Sequence, residues 1–376
     1  MKAIACKPAL KLCAMTLAVC AASATQAVEN GVTNWPNGVN TALPALMPPP
    51  GETQLYGYTV FYTADDYKDS HGKSTPGTFD LDVFVQAFRI NHTWDYRSES
   101  GVTFTTGAIL SGGRNSLDVG VADDSETGLN QLYFTPLYIN WSASESLHFA
   151  TGFSAFIPLG DYDRGNLINT TSNTYSYVQE FDMTWFPTPQ WELSLSPTIT
   201  VNFENDDTDY ESGDVFNVDY FAGYRPASAP QWQVGLAGHY TRQFSDDSLN
   251  GRTVGDGNRI QKLAFGPQVF YGIGDRTVVS GLYKKLLTRP NRESQIRLSK
   301  SDHSLRGQLS SHRNEVPSPI ARSNGHATEI DSFICWIDQF HEEAIRSCRS
   351  DFVQQHITSI GKETCVKVVF CSQRAL

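Results

Sequence analysis

Residues 191–204, WELSLSPTITVNFE, alternate apolar and polar positions without a break. Trp191, Leu193, Leu195, Pro197, Ile199, Val201 and Phe203 fall on one side. Glu192, Ser194, Ser196, Thr198, Thr200, Asn202 and Glu204 fall on the other. Period two places each set on one face of an extended strand. At about 3.3 Å per residue the stretch reaches about 46 Å, beyond the usual strand of a soluble domain. The same alternation recurs at 175–185, 215–225, 231–244 and 260–271. It predicts eleven strands, at 54–63, 79–94, 101–110, 128–141, 147–157, 174–186, 191–203, 214–225, 231–244, 258–271 and 276–287, the third running on towards 121.

The predicted connections alternate in length. Residues 64–78, 111–127, 158–173, 204–213 and 245–257 are long; 95–100, 142–146, 187–190, 226–230 and 272–275 are short. Long outer loops and short periplasmic turns are the pattern of a transmembrane β-barrel. Trp94, Trp141, Trp185, Trp191 and Trp232 all adjoin short connections, where an interfacial aromatic girdle belongs. A soluble β-sandwich or lipocalin-like barrel is the competing reading. Strand length, Trp placement and loop asymmetry weigh against it. The expected fold is all-β, an antiparallel transmembrane β-barrel of about twelve strands, eleven of them readable.

A single-chain bacterial barrel has an even number of strands and closes on itself, because an open edge in lipid leaves backbone groups unpaired. Eleven strands leave the chain on the outer side after Leu287, so a twelfth is owed there. The sequence changes texture instead. Residues 301–329 are polar and aperiodic, and 330–357 show helical spacing at Phe333, Trp336, Ile337, Phe340 and Ala344. The final CVKVVFCSQRAL offers one short strand, about 75 residues late. The expectation is that the closing strand is missing, with the reading frame shifting near 288–293. A fused extension is the alternative.

Composition divides the chain in the same place. Residues 1–11 carry three Lys and no acid, an apolar run covers 12–22, and ASATQAVEN follows. That is the layout of a signal peptide, cleaved after Ala27. Its apolar run is too short to span a bilayer. Three cysteines lie there (Cys6, Cys13, Cys20) and four lie late (Cys335, Cys348, Cys365, Cys371), without metal-ligand spacing. Residues 28–288 hold 30 acidic against 14 basic side chains, net −16. That balance disfavours nucleic acid as a partner. The expected organisation is signal peptide 1–27, a Pro/Gly-rich segment 28–53 that either plugs the barrel or sits in the periplasm, barrel 54–288, and an aberrant or disordered tail 289–376.

Five motifs carry a resemblance: PPPGETQLYGYTVFYTADDYKDSHG (48–72), FDLDV (79–83), IPLGDYD (157–163), NFENDDTDYESGDVFNVDYFAGY (202–224) and GNRIQKLAFGPQVFY (257–271). In this order they resemble the "MetA-pathway of phenol degradation" family of bacterial outer-membrane proteins, over about 29–288. The resemblance implies an outer-membrane channel or transporter for small hydrophobic or aromatic compounds. The chain departs from the family at GLNQ (128–131) and at TRPNRESQ (288–295).

If the apolar faces meet lipid, the polar faces line the lumen. Candidate lumen residues are Asp82, Glu180, Asp182, Glu192, Asn202, Asp219, Arg225, His239 and Lys262. They suit a mixed-charge constriction or a hydrogen-bonded polar interior. Acidic loops at 63–72, 122–126, 205–214 and 245–258 suit a solvated surface or divalent cations bridging to lipopolysaccharide phosphates. None matches an EF-hand. His148 and Ser154 lie about 20 Å apart along one strand, too far for a Ser–His hydrogen bond. No enzyme, cofactor or metal is expected. The alternative to a channel is a structural or surface-interaction barrel whose acidic loops do the work. Outer-membrane lipid and lipopolysaccharide are the expected neighbours.

Overall fold

The computed structural model describes residues 33–67, 74, 76–274 and 277–288, and the backbone of 364–374. All belong to one compact unit. Its strands are β1 (Thr53–Ala64), β2 (Asp80–Arg97), β3 (Thr103–Asp118), β4 (Asp123–Ser144), β5 (Leu147–Pro158), β6 (Ser176–Thr188), β7 (Trp191–Asn202), β8 (Tyr210–Glu211), β9 (Val215–Tyr224), β10 (Trp232–Gln243), β11 (Ser248–Leu249), β12 (Arg252–Thr253), β13 (Gln261–Ile273), β14 (Thr277–Thr288) and β15 (Thr364–Arg374). Twelve of them close a barrel in the order β1-β15-β14-β13-β10-β9-β7-β6-β5-β4-β3-β2. Every neighbouring pair is antiparallel. β8, β11 and β12 form a small separate sheet in the outer loops.

Burial is inverted relative to a soluble domain. Leu55, Phe61, Ile90, Phe153, Phe181, Leu195, Ile199, Leu236, Phe265 and Val269 are exposed on the outer wall. Their strand neighbours Asn91, Thr93, Glu180, Asp182, Ser194, Ser196, Thr198, Asp219, Thr241 and Gln268 are buried inside. Hydrocarbon outside and hydrogen-bonded polar groups inside are what a bilayer demands. Trp191 packs against Tyr224 at 5.2 Å, Trp232 against Tyr271 at 4.6 Å and Trp141 against Phe149 at 5.5 Å. These pairs sit at the ends with short turns, as the girdle requires.

The third strand does run on, as far as Asp118. Two expectations are corrected. The connection is not the long loop 111–127, because β4 begins at Asp123 and pairs with β3 from Gly112↔Leu129 to Asp118↔Asp123. Gly120, at φ 77°, turns this hairpin, and its N–H donates to Asp118 Oδ1 at 2.6 Å. The barrel is also not left with an open edge. β15 pairs with β1 from Thr53↔Arg374 to Thr63↔Thr364 and with β14 from Thr277↔Ser372 to Lys285↔Thr364. The late segment thus occupies the twelfth position, giving both edges their ladder partners. The intervening residues 289–363, on which the frame-shift expectation falls, lie outside the described residues, as does the signal peptide.

A β-bulge interrupts β4. Thr105 pairs with Tyr138 but Gly107 with Thr135, so Pro136 and Leu137 oppose the single residue Thr106. The missing N–H of Pro136 fits that unpaired place. The extra residue resets the phase, turning both Thr135 and Tyr138 inward, where their side-chain oxygens lie 3.3 Å apart.

Candidate functional site: an occupied lumen

β1 begins at the periplasmic end, but the chain before it crosses the lumen first. At the outer end, Asn34 donates to Ser176 Oγ (2.6 Å) and the Thr174 carbonyl, and accepts from Gln131 (2.7 Å) and Ser172 (2.6 Å). At mid-depth, Asn37, Gly38 and Asn40 meet β9, β10 and β14. Nearer the periplasm, the Leu43 N–H reaches Glu192 and the Ala45 N–H reaches Thr184. Gly51 and Glu52 exchange backbone bonds with Thr93 before β1 starts.

Buried carboxylates hold this segment. Asp219 accepts the N–H groups of Gly38 (2.8 Å) and Asn40 (3.0 Å) and the amide of Asn217 (3.0 Å). Glu192 accepts the Leu43 N–H (2.8 Å), the Ser194 hydroxyl (2.7 Å) and the Gln233 amide (2.7 Å). Glu180 accepts from the Asn40 side chain (2.9 Å) and the Tyr133 hydroxyl (2.9 Å). Hydrogen bonds to a buried anion are the strong kind, about 1.5–3 kcal/mol each. Cations take the segment's acceptors: Lys284 Nζ donates to the Asn37 carbonyl at 2.7 Å and Arg89 to Asn40 Oδ1 at 2.9 Å. The Asn40 amide therefore stands between Arg89 on β2 and Glu180 on β6, a neutral spacer that satisfies both. Gly38 is needed twice over. Its φ is +81°, and a Cβ there would collide with the Lys284 side chain.

The candidate residues fall unevenly. Glu180, Asp182, Glu192, Asn202, Asp219 and His239 are buried inside the barrel. Lys262 is half-buried beside β10, opposite Thr241. Arg225 is exposed at the periplasmic rim, donating to Gln233 Oε1 at 3.2 Å. Asp82 does not face the lumen. It shares the phase of Phe84, Phe88 and the exposed Ile90, opposite Thr63, and is itself exposed. Near the outer end the outward face no longer has to be apolar and carries the charge of Asp82, so Leu81 and Val83 take the inner side and the local alternation inverts. In the same strand Arg89, not among the candidates, is buried with its guanidinium 5.6 Å from the Tyr56 ring and 6.0 Å from Tyr138. Counting the phase from Ile90 would have found it. Lys284 was missed because KKLL has no alternation to read.

The Ser–His pair considered from sequence is not one. Ser154 Oγ bonds Thr135 inside the barrel (2.7 Å), while His148 Nδ1 bonds Ser142 at an exposed turn (2.8 Å). Among the described residues no cluster of three metal-ligating side chains occurs.

Apolar groups complete the lumen. Trp35, Tyr133, Phe156 and Val178 form one cluster, with Val39 and Ile109 against it. Phe221, Ala237 and Leu282 form a second, with Ala42 and Phe270. Each contains residues of the inserted segment and of the wall.

A closed twelve-strand barrel with an apolar outer wall, an aromatic girdle and a lumen filled by its own N-terminal segment defines an outer-membrane β-barrel protein. Residues 64–299 match the family described as "Putative MetA-pathway of phenol degradation", and the chain belongs to it. No curated protein matches the sequence. The fold is similar to the COG4313 outer membrane channel from Pseudomonas putida F1, at 13% identity and TM-score 0.62, covering 88% of this chain and 98% of that one. Weaker similarities include the β domain of the Bordetella autotransporter BrkA (11% identity, TM-score 0.40, 63% and 93% covered) and the CymD monoaromatic hydrocarbon channel (8%, TM-score 0.37, 86% and 88% covered).

Proposed function

We propose that this outer-membrane barrel is a channel for small hydrophobic or aromatic molecules, and that residues 33–52 are a plug that closes its resting lumen. The observation that carries the reading is how the plug is held. As far as Ala45 it takes no place in the barrel's ladder; Gly51 and Glu52, next to β1, share backbone bonds with Thr93. The bonds of 33–45 to the wall go to side chains of β2, β6, β7, β9, β10, β13 and β14, so this part can leave without opening the wall. The family's description supports an aromatic cargo, and the two apolar clusters supply surfaces such a cargo can use. Outer-membrane lipid meets the apolar wall, with lipopolysaccharide in the outer leaflet around the acidic loops. The protein is read as a channel and not as an enzyme.

A second reading, a structural or surface-interaction barrel, is favoured by the filled lumen. The two are separated by uptake of labelled toluene into intact cells with a lipopolysaccharide outer leaflet. Cells expressing the chain should take up toluene faster than cells without it. Asp219→Ala, which leaves the Gly38 and Asn40 N–H groups without their acceptor, should accelerate uptake further. Equal uptake by all three would sink the channel reading and leave the structural one.

A further inference from the structure

The outer apolar cluster holds one ring that does not belong to the wall. Tyr133, Phe156, Val178 and Ile109 project from β4, β5, β6 and β3. Together they make an aromatic-sided slot. The Tyr133 and Phe156 rings lie 4.7 Å apart. Trp35, from the plug, fills the slot at 3% exposure, edge-on to Tyr133 (5.8 Å, 78°) and to Phe156 (6.5 Å, 81°). The fit is complete in shape but not in chemistry. Among the described residues the buried Trp35 Nε1–H meets no hydrogen-bond acceptor; the Tyr133 hydroxyl of the slot turns away from it to donate to Glu180. A buried donor without an acceptor weakens the seat of the group that carries it. An aromatic ring with no donor would make the same edge-to-face contacts and orphan nothing.

We propose that this slot is a binding station for a small aromatic hydrocarbon, and that Trp35 is its internal stand-in, displaced when the ligand binds. The proposal rests on the channel reading for its purpose, though not for its geometry. Because Trp35 lies between the anchors Asn34 and Asn37, its expulsion strains both. Ligand arrival is thereby coupled to loosening of the plug's outer end.

The test uses the full chain in lipid vesicles, labelled with 5-fluorotryptophan, with the Trp35 resonance assigned by its loss in Trp35→Phe. Toluene should move that resonance from a buried to a solvent-exposed position, leaving Trp191 and Trp232 of the girdle as internal controls. Methylcyclohexane, of similar size and without a π face, should need about fivefold to 150-fold more ligand, the range expected for the loss of two edge-to-face contacts. A Trp35 signal unmoved at saturating toluene would overturn the proposal. So would equal potency of the two ligands, which would indicate mere partition. Displacement without cellular toluene uptake would leave the slot standing and remove the channel reading; uptake without displacement would do the reverse.

Discussion

Asp182 is fully buried on the inner face of β6, facing the Glu180 carboxyl group and the Ser196 hydroxyl, and among the described residues neither of its carboxylate oxygens makes a well-formed hydrogen bond. Its neighbour on the same face, Glu180, is a second buried carboxyl group. Unlike Glu180, Glu192 and Asp219, it holds nothing of the plug. A buried ionisable group that is poorly hydrogen-bonded and sits beside a second carboxyl costs stability, about 1–3 kcal/mol for the unmet polar atoms alone. Asp182→Asn should therefore raise the thermal unfolding midpoint of the detergent-solubilised barrel. A lowered midpoint would mean that the carboxylate has a structural role not seen here. The contrast between Asp82 and Arg89 shows how far single residues could be read. Both lie on β2, but strand phase alone decides which one enters the lumen. That phase is visible only from the central apolar residues, not from the acidic motif at the strand's outer end.

At the scale of elements, the eleven strands from residue 53 to 288 were legible because each half-buried strand must keep one apolar face. The run-on of the third strand was read, but the outer start of β4 at Asp123 was not, since outside the bilayer no face has to be apolar. The twelfth strand was missed for another reason. CVKVVFCSQRAL looked like a strand, but the 75 residues before it argued against its use. Loop-closure entropy rises only logarithmically, roughly 0.6 kcal/mol per doubling of length, so a long excursion is cheap. Two unpaired edges in lipid cost several kcal/mol for each group left open. Deleting 364–374 should consequently abolish the folded barrel, read as loss of the heat-modifiable fast-migrating band on a denaturing gel. A truncated chain that still gives this band, and resists protease, would show that β15 is dispensable.

For the whole molecule, the outer loops are tied together by one buried carboxylate. Asp247 accepts from the Tyr210 hydroxyl (2.6 Å), the Gly213 N–H (2.7 Å) and the Gln243 amide (2.6 Å). It thereby joins the β8–β11–β12 sheet to the tops of β9 and β10. Loop 159–175 is tied in as well, the Asn169 carbonyl accepting from Asn115 on the outer part of β3 and the Asn173 amide donating to Asp207 in the next outer loop. Asp247→Ala should make the loops around 203–214 and 245–258 sensitive to added protease while the barrel's unfolding midpoint moves little. A large drop in that midpoint would mean the loop sheet and barrel unfold as one unit.

Alternation, turn length and Trp placement by themselves determined the membrane barrel and the two-faced pattern of its strands, because lipid imposes the same rule on every strand. They did not determine what fills the lumen. Residues 33–52 have no periodicity, since their partners are scattered around the wall and recur at no fixed interval along the chain. Only the closed tertiary structure brings Asn40 between Arg89 and Glu180, Gly38 onto Asp219 and Trp35 into the aromatic slot. Those contacts join groups about 50 to 180 residues apart, and closing the barrel is what makes them neighbours.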